Sequence, residues 1–341
     1  MKMKLILAVV LVVALLAGCA TTPAPAPAAP ATPAQDAPAQ DAPEAPPTDG
    51  EVFRVAYIAR AQADAFAAWL ANAVLEEAAN YPNIEVTVFD GQASDSVVNT
   101  HIENAIVNQF DVIIVQPHNG EAQRPFVEQA VAAGIHTITT NARIDGIPGS
   151  SSVDADPFEQ AAVNARVAID QIPEGANVVV LNGPPGNFHA DERRRAWQAE
   201  FFDARPDVTI VGEQIANWNI DEAMSFMEDW MIANDRIDAI ISMNDNMALG
   251  ALEAVRGTAF EGLLAYGVDG TAEAVLSIQA GEMTQTTLQS AYDLAELLLQ
   301  TSYRLLMGLD TEIHVDVGNP IVTIDNVEDF IELHRRAGAI S

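Results

Sequence analysis

Side chains able to do covalent or metal chemistry are few in this chain, and their spacing excludes the common reactions. Lysine occurs only as Lys2 and Lys4. No amine is therefore placed for Schiff-base chemistry, pyridoxal phosphate included, or for a phosphate loop that depends on its lysine. HExxH, GxSxG and CxxC patterns are absent, which removes the zinc-protease, hydrolase-elbow and thiol-redox readings. The six histidines are scattered; His118 and His189 fall near strand-end loops, but no metal site is expected from such spacing. No nucleophile, base and oxyanion-hole set can be assembled. Neither an enzyme nor a cofactor is expected.

What remains is a set of polar and aromatic residues with two readings each. Asp64 and the pair Asn244-Asp245 precede helix-period stretches and read as N-caps or as ligand contacts. Asp269-Gly270 reads as a turn or as a contact after a strand. Trp218, flanked by Asn217 and Asn219, is poorly suited to a core. Phe66 stands near a helix start, where core packing is as good a reading as stacking. Arg193-Arg194-Arg195 is the one basic run; on a helix its members diverge, so at most one reaches a cleft while the others pair with Asp191, Glu192 or Glu200.

Charge narrows the partners. There are 48 acidic and 16 basic side chains, a net charge of −32, and a phosphate-binding face has little material from which to form. Nucleic acid is excluded as a partner. The single cysteine, Cys19, cannot form an internal disulfide, so the core must hold itself together. The 341 residues allow one large or two medium domains.

The first fifty residues are unlike the rest of the chain. Lys2 and Lys4 precede an apolar run from Leu5 to Ala17, too short for a stable span of a hydrocarbon core about 30 Å thick, which reads as a secretory signal at 1–18. Leu16-Ala17-Gly18-Cys19 resembles the bacterial lipobox, which implies lipidation of Cys19 after cleavage. Both lysines then leave with the signal, and the exported protein carries −34. Residues 19–50, rich in Ala, Pro, Thr, Gln and acids, read as an extended tether with nothing to bury.

From Val52 onward short apolar runs alternate with amphipathic stretches. Strands are expected at 52–58, 84–89, 112–115 and 136–139, separated by helices at 64–80, 94–109 and 120–133. After Asp156-Pro157 a second series follows, with strands at 177–181, 208–215, 237–241 and 263–266. Its helices are expected at 158–171, 188–203, 219–232, 245–256 and 271–280. Such βαβ repetition predicts an α/β fold of two doubly wound, Rossmann-like lobes with a cleft between them. The dinucleotide reading fails, because Arg60-Ala-Gln-Ala-Asp64 stands where GxGxxG is required.

Within this frame Ile113-Ile-Val-Gln-Pro117, Ser242-Met-Asn-Asp-Asn-Met-Ala-Leu-Gly-Ala251 and Tyr266-Gly-Val-Asp-Gly-Thr271 resemble the type I periplasmic sugar-binding proteins of ABC importers, in the ribose-binding branch. The resemblance spans about 52–324. It implies a three-stranded hinge with crossings near 154–157, 288–291 and 309–318, and helix 291–307 back on the first lobe. The first lobe is then 51–155 plus 290–310, the second 156–289 plus 311–341. DNA-binding repressors share the core fold, but the charge and the exported N-terminus exclude them.

Carried over position by position, the family pattern implies ligand contacts at Asp64, Phe66, Gln116, Asn141, Arg193, Trp218, Asn244, Asp269 and Gln289. Arg143 is carried over as the tenth contact, although it stands one step late for the family's Asp-Arg pair, which here reads Asn141-Ala142. The second aromatic slot is Ala67, with Trp69 two residues on. Asp245 reads as the cap of its helix. A neutral sugar presents hydroxyls and a C–H face, which planar polar groups and aromatic rings satisfy together.

The expected function is an exported, lipid-anchored, monomeric receptor that closes on a small neutral carbohydrate or polyol and passes it to an ABC permease. Two alternatives stand beside it: a receptor serving a sensor kinase or chemoreceptor, and a binder of a nucleoside or furanosyl signal molecule.

Overall fold

The computed structural model describes residues 52–340, so the expected signal, Cys19 and the whole of the tether lie outside the described residues. The first series runs β1 (Phe53–Ala59), α1 (Ala65–Ala78), β2 (Ile84–Asp90), α2 (Asp95–Val107), β3 (Val112–Val115), α3 (Gly120–Ala132), β4 (His136–Thr140) and β5 (Ser150–Ala155). The second is α4 (Pro157–Gln171), β6 (Asn177–Asn182), α5 (Phe188–Trp197), β7 (Thr209–Ile215), α6 (Ile220–Ala233), β8 (Ala239–Ser242), α7 (Asp245–Val255), β9 (Leu264–Tyr266), α8 (Ala272–Gln279) and β10 (Gln285–Thr287). The chain closes with α9 (Ala291–Leu306), β11 (His314–Val317), β12 (Ile321–Thr323) and α10 (Val327–Arg336).

Two six-stranded sheets result, ordered β11-β5-β4-β3-β1-β2 and β12-β10-β9-β8-β6-β7. Every pairing is parallel except β10 with β12. The central strands are continuous apolar runs because helices cover both faces of each sheet; Val112 to Val115 and Val178 to Leu181 are wholly buried. Helix α9 packs on α1, with Leu294, Leu298 and Leu299 joining Leu70 and Val74 in one core. The expected helix at 188–203 is α5 followed by a π-helical turn, Gln198–Phe202.

The chain passes between the sheets three times: from β5 into α4, from β10 into α9, and from β11 into β12. The third passage corrects the expected boundary at 310. Strand β11 pairs with β5 in the first sheet, from His314 opposite Ser152 to Val317 opposite Ala155, so the first lobe extends through Val317. Polar stitching holds it there. Ser151 Oγ accepts from Ile313 N at 3.0 Å, and Ser152 Oγ lies 2.9 Å from His314 Nδ1.

Helix starts place the polar groups of the cleft. Asp64, Asn187, Asn244 and Thr271 each follow a strand's carboxyl end, and each side chain accepts from a backbone N–H of the first helical turn. One oxygen of each is thereby committed to capping. The amide nitrogens of Asn187 and Asn244 are left for other partners.

Candidate functional site

Between the two sheets, at the carboxyl ends of their strands, lies a cavity of about 10 Å³, room for roughly one water molecule. Arg60, Phe66 and Asn141 line it from the first lobe; Asn187, His189, Arg193, Trp218, Asn244 and Asp269 line it from the second. Each of these is less than a tenth exposed. The lobes are closed on one another, and the space left between them is smaller than a sugar.

Three cavity residues adopt left-handed backbone conformations: Asn141 at φ 46°, Trp218 at φ 63° and Asp269 at φ 125°. Ala142, beside Asn141, lies at φ 129°. Strain of this kind persists only where surrounding structure imposes it, and it gathers at functional sites. At Asn141 and Ala142 the constraint is visible. Gln116 Nε2 donates to Asn141 Oδ1 at 2.6 Å, and the N–H groups of Ala142 and Arg143 donate to Asp154 Oδ2 at 3.4 and 2.9 Å.

Arg193 is fixed from several sides within the second lobe. Its Nε and one terminal nitrogen donate to Gln160 Oε1 at 3.0 and 2.8 Å, and the other terminal nitrogen donates to the Met243 carbonyl at 2.8 Å. Asp269 Oδ1 and Gln289 Oε1 each lie 3.3 Å from the first of those terminal nitrogens. Burial pushes the Asp269 carboxyl well above the usual carboxylate range, while Arg193 pulls it down. Opposite, Arg60 pairs with Asp64 at 2.8 Å. Each guanidinium in the cavity thus has a carboxylate of its own.

Trp218 joins the two halves. The guanidinium carbons of Arg60 and Arg193 lie 5.6 and 5.7 Å from its ring centroid, close enough for cation–π attraction. Its Nε1 is buried without a protein acceptor, and the Nε2 of Gln289 is likewise unpartnered. Buried donors without a partner are uncommon, and these two remain free for a further acceptor.

Six of the ten expected contact residues therefore line the cavity: Phe66, Asn141, Arg193, Trp218, Asn244 and Asp269. Asp64, Gln116 and Gln289 stand directly behind them, holding Arg60, Asn141 and the Gln160–Arg193 group. Arg143 is a correction. Its guanidinium turns to Asp316 at 2.6 Å and Asp145 at 3.4 Å, because β11 brings an acid to that edge of the sheet. Asp245 is a second correction, because Asn244 takes the cap expected of it while also lining the cavity. Asn244 is the cap, accepting from Met247 N at 2.9 Å. Asp245 is buried, accepting from Thr271 N and Thr286 Oγ1 at 2.9 and 2.6 Å, and burial pushes its carboxyl up to about 6.

Of the basic run, Arg193 alone is buried at the cavity; Arg194 pairs with Glu213 and Arg195 with Glu192. Arg60, Asn187 and His189 were absent from the expected contacts. Their signal was positional, since each follows a strand's carboxyl end. Trp69 faces away from the cavity, into an outer groove lined also by Thr271 and His334.

A periplasmic binding protein domain model matches residues 55–310. The chain belongs to that family. This periplasmic binding protein is 27% identical over 252 residues to the xylitol-binding protein of Mycolicibacterium smegmatis, covering 73% of this chain and 72% of that one. It is 26% identical over 234 residues to the ribose import binding protein of Bacillus subtilis, covering 69% and 75%. A Caulobacter myo-inositol binding protein, solved with myo-inositol bound, superposes with a TM-score of 0.77 at 26% identity, covering 81% of this chain and 95% of that one. The two-sheet architecture is that of type I periplasmic sugar-binding proteins, which bind substrates and are not enzymes.

Proposed function

We propose that this periplasmic binding protein is exported, anchored through a lipid on Cys19, and captures a small neutral sugar or polyol between its lobes for delivery to an ABC permease. The observation that carries the choice of ligand is the charge balance of the cleft. Arg60 and Arg193 are offset by Asp64 and Asp269, and Asp154 adds a further carboxylate nearby. An anionic ligand would meet no surplus of positive charge, whereas hydroxyls, which donate and accept, suit paired acids, amides and guanidiniums. Trp218 and Phe66 supply faces for C–H groups.

In this reading Phe66, Asn141, Trp218, Asn244 and Asp269 touch the ligand, with Arg193 and Arg60 completing the shell. Asp64, Gln116 and Gln289 hold those groups in place. Hinge closure through the three crossings brings the two halves together and removes water.

The test is a thermal-shift screen of pentoses, hexoses, deoxysugars, inositols, linear polyols and nucleosides, followed by calorimetry of any hit. Stabilisation by a carbohydrate or polyol is expected, since a ligand that binds only the folded state raises its stability by mass action. No shift with any of them would sink the reading, and a nucleoside as the sole hit would replace the ligand class.

A further inference from the structure

We propose that His189 is a positioning residue that joins closure of the lobes to the setting of Arg193, and that a proton on its second nitrogen parts them. The geometry spans the cleft. His189 lies on α5 of the second lobe, and its Nε2 is 2.9 Å from Asp154 Oδ1 on β5 of the first. Its Nδ1 is 3.3 Å from a terminal nitrogen of Arg193, one turn along the same helix. Both residues of the inter-lobe pair are buried, His189 at 3% and Asp154 at 0% exposure.

The partners dictate the tautomer. A guanidinium nitrogen only donates, so Nδ1 must accept; a carboxylate only accepts, so Nε2 must carry the hydrogen. The neutral Nε2–H imidazole satisfies both bonds and is the single protonation state that does. Asp154 is in turn held by the N–H groups of Ala142, Arg143 and Ala155. A continuous series runs from the strained Asn141-Ala142 loop of the first lobe through Asp154 and His189 to Arg193 and Asp269 of the second.

A proton on Nδ1 reverses one link. It places N–H against N–H of Arg193 and a second positive charge beside a guanidinium. The charged groups facing the imidazole are Asp154 on β5, Arg193 on α5 and Arg60 at the end of β1. Burial, with Arg193 and Arg60, holds the imidazole below its ordinary range, and Asp154 only partly opposes them. The sign follows from linkage. The parted lobes take up the proton more readily than the closed ones, so this pair's contribution to closure is full above the ordinary imidazole range and is lost as pH falls below it. Asp154 titrates lower still, being held below the usual carboxylate range by His189 and its backbone donors against the cost of burial.

The device rests on the proposed reading of the cleft only in its consequence, acid-promoted release of ligand; the closure step needs no ligand. Its test measures the distance between spin labels at cysteines replacing Glu103 and Glu228, on the outer helices of the two lobes, in full-length protein carrying Cys19→Ser. Without ligand, the wild-type distance should lengthen between about pH 8 and about pH 5. His189→Gln, whose amide both donates and accepts, should stay closed throughout. Asp154→Asn removes the one charge that favours the imidazolium in the closed form, so the proton opposes closure more strongly and opening should shift to higher pH. Nitrogen NMR of labelled histidine should report an Nε2–H tautomer for His189. A wild-type distance that ignores pH, or a His189→Gln variant that opens like wild type, overturns the proposal. Acid opening in a protein that binds no carbohydrate or polyol would leave this device standing and remove the ligand reading instead.

Discussion

Gly183 lies flush against the indole of Trp218, and a Cβ at that glycine would stand 2.3 Å from the ring. Gly183→Ala must therefore move Trp218 or the loop after β6. Overpacking of this kind costs about 1–3 kcal/mol, and the ring it displaces lines the cavity. Calorimetry should show sugar affinity reduced by about tenfold or more. An unchanged affinity would mean that Trp218 takes no part in binding.

Asn244 divides its two ends between structure and ligand. Asn244→Ala removes both, costing about 1 kcal/mol of stability through the lost cap and weakening binding. Asn244→Ser keeps a capping oxygen and removes the amide donor without adding a charge. Denaturant titration should find Asn244→Ser close to wild type in stability, while calorimetry finds it as weak a binder as the alanine variant.

Arg143 and Arg193 were both expected to meet ligand, and only one faces the cavity. Arg143→Ala, severed from Asp316 and Asp145, should change affinity by less than about twofold, since pairs at partly exposed sites contribute roughly 0–1 kcal/mol. Arg193→Ala leaves Asp269 buried without its partner and should abolish measurable binding; breaking such a pair costs about 3–5 kcal/mol.

Asp245 gives stability a pH dependence of its own. Its carboxyl is raised by burial to about 6, so the folded state holds that proton more tightly than the unfolded chain. The contribution is full below the ordinary carboxylate range and is lost as pH rises through about 6, by on the order of 3 kcal/mol. Stability measured from about pH 4 to about pH 7 should carry this slope in wild type relative to Asp245→Asn. Parallel curves would remove the assignment.

Cys19 is tested by fractionation. The wild-type protein should sediment with membranes and yield an acylated N-terminal peptide by mass spectrometry, whereas Cys19→Ser should appear in the soluble fraction. A soluble wild type would sink the anchor.

Much of the fold was legible because parallel strands buried on both faces announce themselves as continuous apolar runs, as Val112 to Val115 and Val178 to Leu181 do. Strand β5 did not. Its sequence, Ser-Ser-Ser-Val-Asp-Ala, is wholly buried, but its serines tie down β11 and its aspartate reaches the other lobe, functions that no hydrophobic period records. The boundary near 310 failed for the same reason, since β11 is recruited by those serines. At the site, the family pattern carried onto strand-end positions named six residues of the cavity wall, whereas the direction of a long side chain did not follow from position. Arg143 found Asp316, 173 residues away, and Asn244 rather than Asp245 became the cap. Gln160, which fixes Arg193 from α4, carried no local signal at all.

The enclosure of the cavity bears on kinetics. Its lining residues are all nearly inaccessible and come from both lobes, so a captured molecule departs no faster than the three crossing segments allow the lobes to separate. Substitutions inside the cleft would change how tightly the closed form holds its guest. Substitutions in the crossing segments at Asp156, Leu288 or Gly318, which do not line the cavity, would change residence time and capture rate together, and an importer drawing on this protein would respond to the hinge as much as to the site.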